Sequence, residues 1–110
     1  MAWFLVTLRL CERIRTGTGW TKADEEAVDA HYRRLVDLHG KGTVLLAGRT
    51  DLEDAKTMGI VLYRAPDLDA ARTLASADPA VIAGTMDSEL APFSFAIGDP
   101  DKDGQPTSSQ

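Results

Sequence analysis

Cysteine is nearly missing from this chain: Cys11 is the only one in 110 residues. That excludes an intrachain disulfide and any multi-thiolate metal site, and it suits a reducing compartment. Histidine is almost as scarce, with only His31 and His39 present. Two such residues eight apart without a third matched ligand give no metal signature, since a catalytic zinc ordinarily takes three protein ligands, and no metal is expected. Long apolar runs are missing too; none approaches the roughly 20 residues that a membrane-crossing helix needs. The apolar start MAWFLVTLRL has neither a basic n-region nor a small-residue cleavage site, so it reads as a strand, and the expected location is cytoplasmic. Positive charge is in deficit, with 12 Lys and Arg against 17 Asp and Glu and a formal net charge of −5. A phosphate backbone would meet net repulsion, so neither nucleic acid nor membrane is an expected partner. Gly17 and Gly19 lack the rest of a nucleotide-binding loop. Ser94 lacks the glycines of a nucleophile elbow, and Cys11 lacks an activating base in sequence. No covalent nucleophile and no cofactor is expected.

What remains is ordinary globular material, 44% apolar and 26% charged. A chain of this length builds one core. The expected organisation is one domain over residues 1–98 and a mobile tail over 99–110, because DPDKDGQPTSSQ has no apolar side chain to offset the entropy of ordering it.

Alternation in the first strand puts Phe4, Val6, Leu8 and Leu10 on one side and Trp3, Leu5, Thr7 and Arg9 on the other. CERIRTGTGW follows as a loop. Thr21 and Asp24 mark the start of a helix that Gly40 to Gly42 stop. Val28, His31, Leu35 and Leu38 fall within an apolar stripe roughly 100° wide on that helix. Thr43–Gly48 and Met58–Tyr63 read as a hairpin, and Asp67 caps a second helix beginning at Leu68. Asp78-Pro79 breaks that helix and opens a short turn closed by Gly84. ELAPFSFAI, residues 89–97, reads as the last strand, with Phe93, Phe95 and Ile97 on one face and Pro92 arguing against a central ladder position. The order β-α-β-β-α-β resolves most simply as an α+β, ferredoxin-like, four-stranded antiparallel sheet with both helices on one face. The other face would expose large apolar residues, and a homodimer closing it is expected.

His31 is the most informative residue. A titratable ring within an apolar stripe is either neutral and hydrogen-bonded or held charged by a carboxylate, and Asp78, at the end of the neighbouring helix, is the best partner. Such a pair would set the imidazole tautomer and make the ring a general base or acid. The alternative is a structural histidine, with Asp78 merely capping the next turn. His39 fits a cation at a helix C-terminus. Arg15 and Arg49 are candidates for receiving an anionic substrate, and Trp20 is a candidate pocket wall.

Three segments, HYRRLVDLHGKGTVLLAG (31–48), LDAARTLASADPAVIAG (68–84) and the terminal APF (91–93), carry four motifs in order, a helix histidine, a G-x-x-x-x-AG strand, an A-DP-x-x-x-AG turn and a PF strand, that make the sequence similar to the YciI-like proteins of the YCII-related domain family, in the dimeric α+β barrel group. The resemblance implies a protomer that dimerises through its sheet and a site built on the family's histidine and DP-turn aspartate, which match His31 and Asp78. One similar protein removes HCl from a chlorinated hydroxyquinol. Arg49 stands where many relatives have proline, and Ala80 where some have an aromatic residue, so substrate specificity does not carry over. The combined expectation is a small cofactor-independent enzyme, of lyase, dehydrochlorinase or isomerase type, acting on a small cyclic or aromatic molecule through His31 and Asp78. Its alternative is a non-catalytic metabolite-binding or accessory protein.

Overall fold

The computed structural model describes residues 1–17, 19–53 and 55–102. Eight elements follow one another: β1 (Ala2–Leu10), α1 (Glu12–Arg15), α2 (Lys22–Gly40), β2 (Val44–Arg49), β3 (Gly59–Ala65), α3 (Leu68–Ser76), α4 (Pro79–Ile82) and β4 (Met86–Phe93). The strands form one antiparallel sheet in the order β2-β3-β1-β4, the ferredoxin-like arrangement. None of the described helices is long and apolar enough to cross a membrane.

Local chemistry sets the helix ends. Thr21 accepts the Asp24 N–H while Asp24 accepts the Thr21 N–H, a capping box that satisfies two otherwise orphaned donors. The helix ends at Gly40, and Gly42 then takes φ +82°, a conformation that costs a residue with a Cβ far more. Asp67 caps α3 by accepting from the Ala70 N–H. The segment expected as a loop after β1 contains the single turn α1, because Ile14 is buried and draws the backbone around it.

The last strand also differs from expectation. It begins at Met86 and ends at Phe93, since its only partner, β1, runs from Leu10 opposite Met86 to Trp3 opposite Phe93 and offers no ladder beyond. Phe95 and Ile97 therefore lie outside the sheet, and Ile97 is 93% exposed. Because β4 is an edge strand, Pro92 removes no ladder bond from a central position. After Phe93 the chain turns back over the outer face. Phe95 meets the rings of Trp3 and Phe93 edge-on at 5.7 and 5.0 Å, and Asp101 accepts from the Trp3 indole at 3.3 Å and pairs with Arg64. Of the expected tail, Asp101 thus meets the sheet, and residues 103–110 lie outside the described residues.

The core sits between the sheet and the helices. Val6, Leu8, Val61, Tyr63 and Val44 pack against Leu35 of α2 and Ala75 of α3, and Phe4 and Ala65 pack against Ala71 of α3. Phe4 is central to that second cluster. Phe4→Ala is therefore expected to lower the unfolding free energy by about 3–5 kcal/mol, the usual cost of removing a buried ring. Urea denaturation measures it, and a loss below about 1 kcal/mol would contradict the packing.

Candidate active site

Three elements converge behind His31. Leu35 anchors α2 to the sheet, which brings the preceding helical turn over α4. Proline disfavours a helical residue before it, so Asp78 holds an extended conformation (φ −65°, ψ 126°) and becomes the N-cap of α4. Its Oδ1 accepts the Ala80 N–H at 2.8 Å, which orients the carboxylate and leaves Oδ2 facing α2. There it lies 2.6 Å from His31 Nδ1. The two side chains are 13% and 3% exposed, so the contact is nearly shielded from water.

Burial alone would push the Asp78 carboxyl up. The His31 hydrogen bond and charge, the Ala80 N–H and the Arg34 guanidinium together outweigh it and hold the group below the ordinary carboxylate range. With Asp78 ionised, Nδ1 of a neutral His31 carries the proton and donates it to the carboxylate, leaving the Nε2 lone pair free. No hydrogen bond reaches Nε2 among the described residues.

His31 lines a cavity of about 980 Å³ between α2 and the edge of the sheet formed by β2 and β3. Its wall is mainly apolar, with Leu8, Leu10, Val28, Leu35, Val44 and Val61 prominent. Trp20 and Arg49 line the same cavity, as does His39. Trp20 is 44% exposed, and the carbonyl beside it, Gly19 O, accepts from Arg13 at 3.1 Å. Arg15 is not brought to this site: its Nε donates to Leu10 O at 2.8 Å, holding the guanidinium at the end of β1 and outside the cavity wall. Among the described residues no group of three or more His, Cys, Asp or Glu side chains is placed to hold a metal ion.

Two supporting features went unrecognised in the sequence. Arg34 lies one turn after His31, donates to Leu74 O at 2.8 Å and acts on both Asp78 and the buried Tyr63. Burial pushes the Tyr63 phenol up, against the opposing influence of Arg34. The i, i+3 spacing of His31 and Arg34 was the available signal. The second feature is Asp24, which besides capping α2 accepts from Arg13 at 2.9 Å on each oxygen and from the Thr85 hydroxyl at 2.8 Å. It joins α1 and α2 to the turn before β4, which itself follows Asp78 and α4. The Thr21 backbone N–H is the largest of the influences that hold the Asp24 carboxyl far below its ordinary range. Nothing local in the sequence links positions 24 and 85.

The family model of the YCII-related domain matches residues 6–94. No curated protein matches the sequence. Among solved structures, a similar one is the 5-chloro-2-hydroxyhydroquinone dehydrochlorinase TftG from Burkholderia phenoliruptrix, in complex with 2,5-dihydroxybenzoquinone. It shares 17% identity, and the superposition covers 84% of this chain and 93% of that one with a TM-score of 0.54, so the likeness is one of fold.

Both Asp24 and Asp78 are held below the ordinary carboxylate range in the folded state. The unfolded chain therefore binds more protons in acid, and the stabilisation is present above about pH 4 and is lost as pH falls below it. Urea denaturation from pH 6 down to pH 2.5 is expected to show this decline. Asp24→Asn is expected to flatten it by up to roughly one proton per molecule. An unchanged slope in the variant would contradict the geometry around Asp24.

Proposed function

The chain belongs to the YCII-related domain family, and on that footing we propose that it is a small enzyme of lyase type, acting on a compact cyclic or aromatic metabolite by acid–base chemistry that needs no cofactor. One observation carries this reading: His31 bonds to Asp78 through Nδ1 at 2.6 Å while lining a largely apolar cavity. The dehydrochlorinase with the same fold supports the reaction class. In this mechanism Nε2 removes a proton from a carbon or hydroxyl acidified by the substrate's own ring or carbonyl. The electron pair of the broken bond forms a new double bond, the leaving group departs with its bonding electrons, and solvent takes the proton from the imidazolium. Asp78 orients the ring and offsets the positive charge that it acquires. Trp20 serves as an aromatic wall for the substrate ring.

The protomer is further proposed to pair with a second copy through the outer face of the sheet, where Leu5 and Ile60 are half-buried and Leu46, opposite Leu62, is exposed. Light scattering at micromolar concentration is expected to give twice the chain mass, and a monomeric mass would contradict the pairing.

Chloride release from 5-chloro-2-hydroxyhydroquinone and related halogenated hydroquinones tests the chemistry. Once a turned-over member is found, His31→Ala is expected to lower kcat by about 10²–10⁴-fold, the usual contribution of a positioned acid or base. Asp78→Asn is expected to lower kcat as well, with far-ultraviolet circular dichroism retained in both. Wild-type turnover by the His31→Ala protein would overturn the mechanism. Binding without turnover of any substrate would favour the accessory-protein reading.

A further inference from the structure

The charge on the cavity wall is one-sided. The chain carries seventeen Asp and Glu and a net charge of −5, yet among the described residues no carboxylate lines the cavity. Its ionisable lining groups are His31, His39, Tyr32 and Arg49. Asp78 stands behind His31 rather than at the surface of the cavity.

Arg49 reaches this wall through an irregularity in the sheet. Val44 pairs with Tyr63, but the register then slips by one residue, so that Leu46 pairs with Leu62, Ala47 with Val61 and Arg49 with Gly59. Val61 and Gly59 lie opposite Val6 and Leu8, on the face that α2 covers. Without the bulge Arg49 would fall on the outer face; with it, the side chain starts from the covered face. Opposite it, Gly59 contributes no side chain, and a Cβ there would already meet Leu8 Cβ at 3.5 Å. Ala47 is equally small. The edge of the sheet is thereby left open beneath α2, with one guanidinium set into it. Among the described residues Arg49 makes no hydrogen bond or ion pair, whereas Arg13, Arg15, Arg34 and Arg64 are all engaged.

We infer that the cavity selects an organic anion: an apolar ring system held between α2 and the β2–β3 edge, with a carboxylate or phenolate group paired to Arg49. His39, about 12 Å along α2 from His31, lies on the same wall at the end of the cavity away from Arg49. A planar carboxylate matches the guanidinium fork, and Arg49, exposed at the edge of the cavity, is free to receive it there while the apolar wall takes the ring. This inference rests on the reading of the cavity as the substrate site and names the class of molecule that enters it.

Isothermal titration calorimetry with two probes of nearly equal shape, 1-naphthoate and 1-naphthamide, tests it without reference to turnover. The wild-type protein is expected to bind the anion at least tenfold more tightly than the amide, with the preference shrinking as salt rises. Arg49→Gln should reduce the preference to within about twofold and leave amide binding unchanged, whereas Arg15→Gln should leave both constants unchanged. His31→Ala should retain the preference, which separates this inference from the catalytic one. Equal binding of the two probes, a preference that survives Arg49→Gln, or failure of the naphthoate to bind would overturn it.

Discussion

The hydrogen bond between His31 Nδ1 and Asp78 Oδ2 is the constraint to which the other features of the site answer. An imidazole placed in an apolar stripe needs a polar partner, and a carboxylate buried to this degree needs a positive or donating one. Each supplies the other's need. The pair, two residues 47 positions apart, joins α2 to the start of α4 and thereby fixes where the cavity begins. Arg34 and the Ala80 N–H keep the carboxylate ionised and oriented, so its accepting oxygen is spent on the ring's inner nitrogen and the outer nitrogen is left to the cavity.

The fold places this pair through ordinary means. The apolar face of the sheet seats α2 by Leu35 and α3 by Ala71 and Ala75. Asp24 then ties the start of α2 to Thr85, just past α4, so the two elements bearing His31 and Asp78 are linked at a second point. The cavity itself arises where side chains are small: Ala47 and Gly59 leave unfilled the space that larger residues would occupy against α2. The bulge in β2 turns a cation toward that space instead of toward the opposite face of the sheet.

Much of this was legible in the sequence because it rests on local chemistry. The caps at Thr21 and Asp67, the Asp-Pro break and the alternation in the first strand are short-range signals, and each matches an element end or a buried face. The placement of His31 beside Asp78 followed from helical periodicity and the topology together. What escaped depends on distant partners. The limits of β4 are set by the length of β1, the turn around Ile14 by burial, and the position of Asp101 by Trp3 and Arg64, both distant in sequence. Arg15 and Arg49 look alike in sequence; a carbonyl at the end of β1 engages the first, and a one-residue register slip sends the second to the cavity.

The tautomer of His31 tests the central claim most directly. Long-range proton–nitrogen correlation spectra of the neutral ring are predicted to show Nδ1 protonated, with its proton shifted downfield by the Asp78 carboxylate, and Nε2 bearing a lone pair; Asp78→Asn should abolish the downfield proton. A neutral ring protonated at Nε2, or one averaging freely between tautomers as in an unstructured peptide, would contradict the account.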